Sequence, residues 1–279
     1  MKIAFLGDLH GRVFHAMAAL VKWQREHNEK LDLIIQAGDF GAYPYPDEAL
    51  LNNRFVKQDP TELDFSKLIA GGKEVDDFVE IVKSELVTPI YFIRGNHEDV
   101  EWLNSIDCNN GFCNTDSYGL FRYIKDGVIQ NFEGITFAFL GGAEFGAKGQ
   151  GVIDMAVYNE LMDSMERIDI LVTHETQYGI GLSYHGLTQG SKYITRLVEK
   201  LEPKYHITAH YHHMIGPHRR HDTIHMGLNN LVLPLRGKPG RRLRPGCLAI
   251  LDTGKNRLEF VKDEWLTDMS TDIPISALI

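Results

Sequence analysis

A chain of 279 residues with 43% hydrophobic and 24% charged residues can build a sizeable core, and no run approaches the roughly 18 consecutive apolar residues of a membrane span. Its formal net charge of −9 does not suit the coating of long nucleic acid. Three cysteines are too few, and odd in number, for a disulfide framework, so a reducing compartment and a cytoplasmic location are expected.

Lys2 to Leu6 reads as a buried strand that ends in Gly7-Asp8-Leu9-His10-Gly11. Val13, Met17, Leu20, Val21 and Trp23 recur at roughly helical spacing and predict an amphipathic helix over Val13 to Glu26. Leu31 to Ala37 is a second strand, followed by Gly38-Asp39-Phe40-Gly41. Strand, helix and strand with short links form the βαβ unit of a parallel sheet. Residues 42–72 break this rhythm with turn chemistry at Tyr43-Pro44-Tyr45-Pro46, Asp59-Pro60 and Gly71-Gly72. This segment is expected to be an insertion near the mouth of the sheet, where long loops shape substrate access.

A helix over Lys73 to Leu86 leads to the strand Pro89 to Arg94, which ends in Gly95-Asn96-His97-Glu98-Asp99. Tyr118 to Ile124, Val128 to Phe132 and Ile135 to Leu140 are strands separated by Asp126-Gly127 and Glu133-Gly134. Gly141 to Lys148 has the wrong glycine–lysine spacing for a phosphate loop. A helix over Asp154 to Met165 precedes the strand Ile168 to Val172, which ends in Thr173-His174-Glu175. A helix from about Ser191 to Leu201 precedes Tyr205 to Ala209, which ends in His210-Tyr211-His212-His213. Thr223 to Leu228 and Cys247 to Leu251 are further strands, with Leu258 to Val261 pairing antiparallel. Cys108 and Cys113 have no matching second pair and are read as structural or incidental, not as a zinc knuckle. No internal repeat is present, and one domain spanning 1–279 is expected.

Five expected strands thus end in Asp8 and His10, in Asp39, in Asn96 and His97, in His174, and in His210 and His212. Placed in one sheet, these side chains converge on its carboxyl edge, where open α/β sheets bind ligands. Singly, each has an ordinary explanation as a turn residue, helix cap or core histidine. Coincidence at five strand ends does not. Oxygen and nitrogen ligands without a thiolate suit two divalent ions such as Mn, Fe, Zn or Co. A pair of ions about 3.5–4 Å apart clamps the attacking and leaving oxygens of a displacement at phosphorus.

Gly-Asp-x-His, Gly-Asp, Gly-Asn-His-Glu, a lone His after a strand and a final His-x-His resemble, in order, the blocks of the calcineurin-like metallophosphoesterase superfamily. The resemblance runs from Asp8 to His212. It implies an α/β fold, a two-layered β-sandwich flanked by helices. It assigns Asp8, His10 and His212 to one metal and Asn96, His174 and His210 to the other, with Asp39 bridging. His97 would contact the phosphate oxygen or protonate the leaving group, with Asp39's neighbourhood or Glu98 supporting the site from behind. Phe40-Gly41-Ala42-Tyr43 replaces the Asp or Asn followed by Arg-Gly of the protein phosphatase and diadenosine tetraphosphatase branches. Ala209-His210-Tyr211-His212, Gly38-Asp39-Phe40 and Gly95-Asn96-His97-Glu98 look like the RNA lariat debranching enzymes, which cut a 2′–5′ phosphodiester. Thr176-Gln177 stands where that branch usually has Trp-Pro.

The expected activity is phosphoester hydrolysis, with a phosphodiester favoured, by a hydroxide bridging two metals. A phosphomonoesterase acting on a small or nucleotide substrate is the alternative within the class. A metal-stabilised interaction scaffold without activity is the alternative outside it, although no ligand position is lost. The partner expected is a phosphoester, nucleotide or oligonucleotide, with no membrane and no extended nucleic-acid surface. Arg94 is a candidate for substrate phosphate or for an ion pair at a strand end. Arg219, Arg220, Arg236, Lys238, Arg241, Arg242 and Arg244 form either a solvated basic stretch or a patch attracting phosphate.

Overall fold

The computed structural model describes residues 1–145, 151–182, 186–232 and 241–279. In chain order the first half comprises β1 (Lys2–Leu6), α1 (Val13–His27), β2 (Leu33–Gln36), α2 (Glu48–Leu51), α3 (Arg54–Gln58), a 3-10 turn (Pro60–Leu63), α4 (Asp64–Ala70), α5 (Lys73–Glu85), β3 (Ile90–Phe92) and α6 (Val100–Ser105). Next come β4 (Cys108–Asn109), β5 (Phe112–Asn114), β6 (Phe121–Ile124), β7 (Ile129–Phe132), β8 (Ile135–Leu140), α7 (Met155–Asp163) and β9 (Ile170–Thr173). The chain continues through β10 (Gly181–Leu182), β11 (Thr188–Gln189), α8 (Lys192–Leu201), β12 (Tyr205–Thr208), β13 (Ile215–Arg220), β14 (Thr223–Gly227), β15 (Leu248–Asp252) and β16 (Arg257–Phe260).

Two sheets face each other. The first has the order β16-β15-β1-β2-β3-β6-β5-β4, the second β13-β14-β12-β9-β8-β7. Strand alternation explains the layering, because successive side chains leave a strand on opposite faces. Ile3 and Phe5 of β1 point between the sheets, where they meet Phe137, Phe139, Val172 and Ile207. Ala4 and Leu6 point the other way, into a layer with Met17 and Leu20 of α1 and Val75, Phe78 and Val82 of α5. Ala138, Leu140 and Leu171 of the second sheet are covered by Leu161 of α7 and by Ile194 and Leu197 of α8. The result is helix, sheet, sheet, helix, as expected. Each large side chain buried in these layers contributes about 1.5–3 kcal/mol over its exposed state.

β1, β2 and β3 pair in parallel, so their carboxyl ends lie side by side. β9 and β12 are likewise parallel to each other. These five strands belong to two sheets, however, which corrects the single carboxyl edge expected from sequence. A strand covered on both faces reads as one apolar run in either sheet, so local pattern does not reveal which sheet holds it.

Three regions differ from expectation. Residues 42–72 are helical in short pieces: Asp47 accepts from Leu50 N (2.7 Å), Asn53 from Phe55 N (2.9 Å) and Asp59 from Thr61 N (3.3 Å), each starting a turn. β13 is an edge strand whose last four residues are exposed, so it shows no apolar alternation. β4 and β5 form a hairpin around Asn110-Gly111, both at positive φ (50° and 80°), the turn chemistry of a two-residue hairpin. That turn sets Cys108 directly opposite Cys113, and the two are joined in a disulfide. Two of the three cysteines are therefore bonded, which removes the basis for expecting a reducing compartment. Among the described residues, no helix is long and apolar enough to cross a membrane.

Candidate metal centre

The turns leaving β1 and β2 are tied together by backbone. Leu9 N and His10 N both donate to Asp39 O (2.9 Å each), and Gly11 N donates to Phe40 O (2.8 Å). Gln36, buried at the end of β2, bridges them further: its amide donates to Gly7 O (3.0 Å) while its Oε1 accepts from Gly38 N (3.1 Å). The turn after β3 joins through Asp39 Oδ1, which accepts from Asn96 N and His97 N at 2.8 Å each. The turn after β12 joins through Asp8 Oδ1, which accepts from His210 N at 3.0 Å. Gly38 sits where a Cβ would come within 2.5 Å of the His174 ring, so only glycine lets the two sheets close here.

Four of the expected ligands occupy left-handed backbone: His10 (φ 47°), Asp39 (52°), His210 (71°) and His212 (55°). Such conformations are uncommon for residues other than glycine and cost on the order of 1 kcal/mol or more each. Here they turn side chains from two sheets toward one point.

Side-chain atoms of Asp8, His10, Asp39 and His212 lie within 4.8 Å of one another, and so do those of Asp39, His174 and His210. Asp39 belongs to both groups. His10 Nε2 and His212 Nε2 face each other at 3.2 Å, and His174 Nε2 lies 3.3 Å from Asp39 Oδ1 and 3.2 Å from Asn96 Oδ1. His174 donates from Nδ1 to Ala37 O (3.0 Å), which orients the ring with Nε2 turned into the site. Burial pushes His10 down to about 3, so its imidazole is neutral with a lone pair to offer. Burial also opposes charge on His174 and His212, but the Asp39 carboxylate more than offsets it at His174, pushed up to about 10. Asp8 does the same at His212, which is raised.

One atom decides whether this donor set fits a cation. Asp8 Oδ2 is fully buried, meets no donor in hydrogen-bonding geometry, and has His212 Nε2 2.8 Å away as its ion-pair neighbour. Carboxylate oxygens and imidazole nitrogens converging without donors are the arrangement that divalent cations complete. The residues fit a metal.

His97 lies beside these groups without joining them. It is exposed, with its ring edge-on to His10 at a centroid distance of 5.3 Å. Together with His10 and His212 it lines a cavity of about 280 Å³ whose other walls include Tyr43, Leu50, Asn53, Phe55, Val56 and Glu62. Residues of the 42–72 segment therefore form part of this cavity's wall. Glu98 is buried and accepts from Phe40 N (2.7 Å), Gly41 N (3.0 Å), Ala42 N (2.7 Å) and Gly95 N (3.2 Å), binding the Asp39 turn to the Asn96 turn. Burial, then the nearby Asp39 charge, push Glu98 up to about 8 against the Ala42, Gly95 and Phe40 donors.

Arg94 is corrected. Its guanidinium is buried, donating to Asp126 (2.8 Å) and to Val152 O (2.9 Å), so it serves the ion pair at a strand end and does not face the cavity. Among the described residues the basic stretch also does not form one patch. Arg219 and Arg220 are exposed on β13, Arg241 is buried on Asp59 (2.8 Å), Arg242 bonds Thr267 O, and Arg244 donates to His212 O (2.8 Å). Arg236 and Lys238 lie outside the described residues.

Two supports are not singled out by the sequence pattern. Glu175, buried, accepts from Tyr211 Oη (2.6 Å) and lies 3.9 Å from His210 Nε2. Gln36 reads only as part of a strand. A signal for Glu175 exists: His174-Glu175 repeats the His97-Glu98 pattern at a strand end.

The chain is similar to known proteins in sequence and in fold. A curated relative, the lariat debranching enzyme of Arabidopsis thaliana, is 25% identical over 246 residues, 76% of this chain. The chain spans 54% of that relative's length, about half. Among solved structures, TT1561 of Thermus thermophilus covers 94% of this chain and 98% of its own at 14% identity and TM-score 0.50. A second aligns over the same shares at 10% identity and TM-score 0.54; both likenesses concern the fold. The family described as calcineurin-like phosphoesterase matches residues 1–214, and the chain belongs to it.

Proposed function

We propose that this protein hydrolyses a phosphodiester at two divalent metals, one held by Asp8, His10 and His212 and the other by Asn96, His174 and His210, with Asp39 shared. The observation that carries this reading is the pair of donor clusters with Asp39 in common, set around a buried Asp8 oxygen that lacks a donor. Bound Mn, Fe, Zn or Co would supply Lewis acidity toward the phosphoryl oxygens and lower the pKa of bound water. The chain's own residues supply the rest. Asp39 and Asp8 are fixed by backbone donors, so the donor atoms need not reorganise when charge develops. His97 lines the cavity outside both clusters, where its imidazole can hand a proton to the departing alcohol.

A diester is favoured over a monoester on two grounds. The weak likeness to a relative named lariat debranching enzyme points that way. The cavity that His97 lines is also walled by Leu50, Phe55 and Val56, which leaves room for an organic group on the phosphate. We read the chain as one catalytic domain carrying the 42–72 insertion. The test is a metal-by-substrate screen comparing an aryl phosphodiester, an aryl phosphomonoester, cyclic nucleotides and branched or linear oligonucleotides. Metal-dependent turnover with the diester preferred is expected. Metal bound near two per chain without turnover of any phosphoester would overturn the enzyme reading in favour of a scaffold.

A further inference from the structure

The cavity beside His97 has walls that metal chemistry does not need. Leu50, Phe55 and Val56 come from α2 and α3, and Asn53 starts α3 by accepting from Phe55 N at 2.9 Å. Phe55 remains 38% exposed although it is a large apolar side chain on a one-turn helix. Among the described residues the lining contains no lysine or arginine, and its one carboxylate, Glu62, is held by Arg12 at 2.9 Å. Arg54 sets its guanidinium 4.6 Å from the centroid of the Phe55 ring, an arrangement that orients the ring.

This wall is rigidly tied to the metal turn. Arg12 follows Gly11 and is 1% exposed; it donates to Asp59 through Nε (3.0 Å) and Nη2 (2.8 Å) and to Glu62. Arg241 Nη1 forms an ion pair with the same Asp59 oxygen at 2.8 Å. Gly11, at φ +86°, packs so closely on the insertion that a Cβ there would lie 1.9 Å from Glu62 O. Phe65 N also donates to Gly11 O at 3.1 Å. An apolar wall kept at a fixed distance from the reacting centre is preorganised to select part of a substrate.

Resting on the phosphoesterase reading above, we propose that Leu50, Phe55 and Val56 form a specificity subsite for a flat, uncharged aromatic group carried on the phosphoester. A ring system packs against an aromatic and two aliphatic side chains through apolar burial and offset stacking. A cavity of about 280 Å³ admits one nucleoside-sized or aryl group, not a folded polymer. The subsite thus reads the organic group next to the scissile phosphate, while the metal-facing residues treat every phosphoester alike.

The experiment compares three p-nitrophenyl diesters, those of thymidine 5′-phosphate, phenyl phosphate and methyl phosphate, which release the same chromophore. Phe55→Ala is expected to lower the ratio of kcat/KM for the thymidine or phenyl ester over the methyl ester about tenfold, mainly through KM. A gain confined to the thymidine ester identifies a nucleobase; an equal gain with the phenyl ester identifies any aryl ring. Leu51→Ala, exposed and outside the cavity, is expected to leave the ratio unchanged. An unchanged ratio in Phe55→Ala overturns the subsite while leaving the hydrolase reading intact. Should none of the esters turn over, calorimetric binding of thymidine 5′-monophosphate still decides. About tenfold weaker binding to Phe55→Ala supports the subsite, and equal affinity overturns it.

Discussion

Two groups of histidines, one at strand ends of both sheets and one within the second sheet, are built on opposite rules. In one, His10, His174, His210 and His212 gather around Asp8 and Asp39 with ring nitrogens and carboxylate oxygens turned toward each other. In the other, His206 and His225 pair on the helix-covered face of the sheet, both fully buried. There Thr173 Oγ1 donates to Glu175 O (2.6 Å), so His206 Nε2 donates to Thr173 Oγ1 (2.8 Å). His206 Nδ1 then accepts from His225 Nδ1 (3.0 Å) and Gln177 Nε2 (3.2 Å), and Thr176 Oγ1 donates to His225 Nε2 (3.0 Å). Every ring nitrogen is satisfied with both imidazoles neutral, and burial accordingly holds both below their usual range. Histidine density does not mark a metal site. Convergent acceptors lacking donors do.

Replacing Asp39 by Asn strikes the first group at its shared member. A fall of about three orders of magnitude in kcat/KM is expected, with reduced metal per chain by elemental analysis. Chelation should abolish turnover and added Mn restore it. His97→Ala is expected to cost about a hundredfold in kcat with metal content retained, because its ring lies outside both donor clusters. Lost metal in this variant would place His97 among the ligands instead. Breaking the second group should act on stability. His206→Ala leaves buried partners unpaired, and chemical denaturation is expected to show a loss of about 1–3 kcal/mol. Metal per chain should stay as in the parent.

The pH dependence follows from the same closed network. His225 is held down to about 3 from an ordinary 6.5 by burial and then by His218. Below 6.5 the unfolded chain takes up a proton that the folded chain refuses. Stability present above 6.5 is therefore lost as pH falls toward about 3, by up to about 1.4 kcal/mol per pH unit for this group. His225→Asn should flatten that slope by about one proton in denaturation curves taken across the window. An unchanged slope would show that His225 does not titrate as a buried neutral group.

The parallel strand-turn pattern, the principal helices and the order of the metal-type residues were legible in the chain, because apolar runs ending in Gly-Asp or Gly-Asn-His are local signals. The Asn110-Gly111 hairpin was legible in principle as well, and with it the pairing of Cys108 and Cys113. Arg94 and Arg241 were not. Their guanidinium groups are committed to Asp126 and Asp59, and an ion pair between residues far apart in sequence leaves no local trace.

Sequence by itself determined which side chains stand at strand ends, since hydrophobic period and turn residues are properties of neighbouring positions. Only the tertiary structure decided that two sheets share the site. It brings His212 within 3.2 Å of His10 across 202 residues and sets residues of α2 and α3 in the same cavity wall as His97. It also leaves Asp8 Oδ2 without a donor while His206 and His225 have theirs. Those outcomes depend on which lone pairs meet which protons in the folded core, a matter of distance and direction that no local pattern encodes.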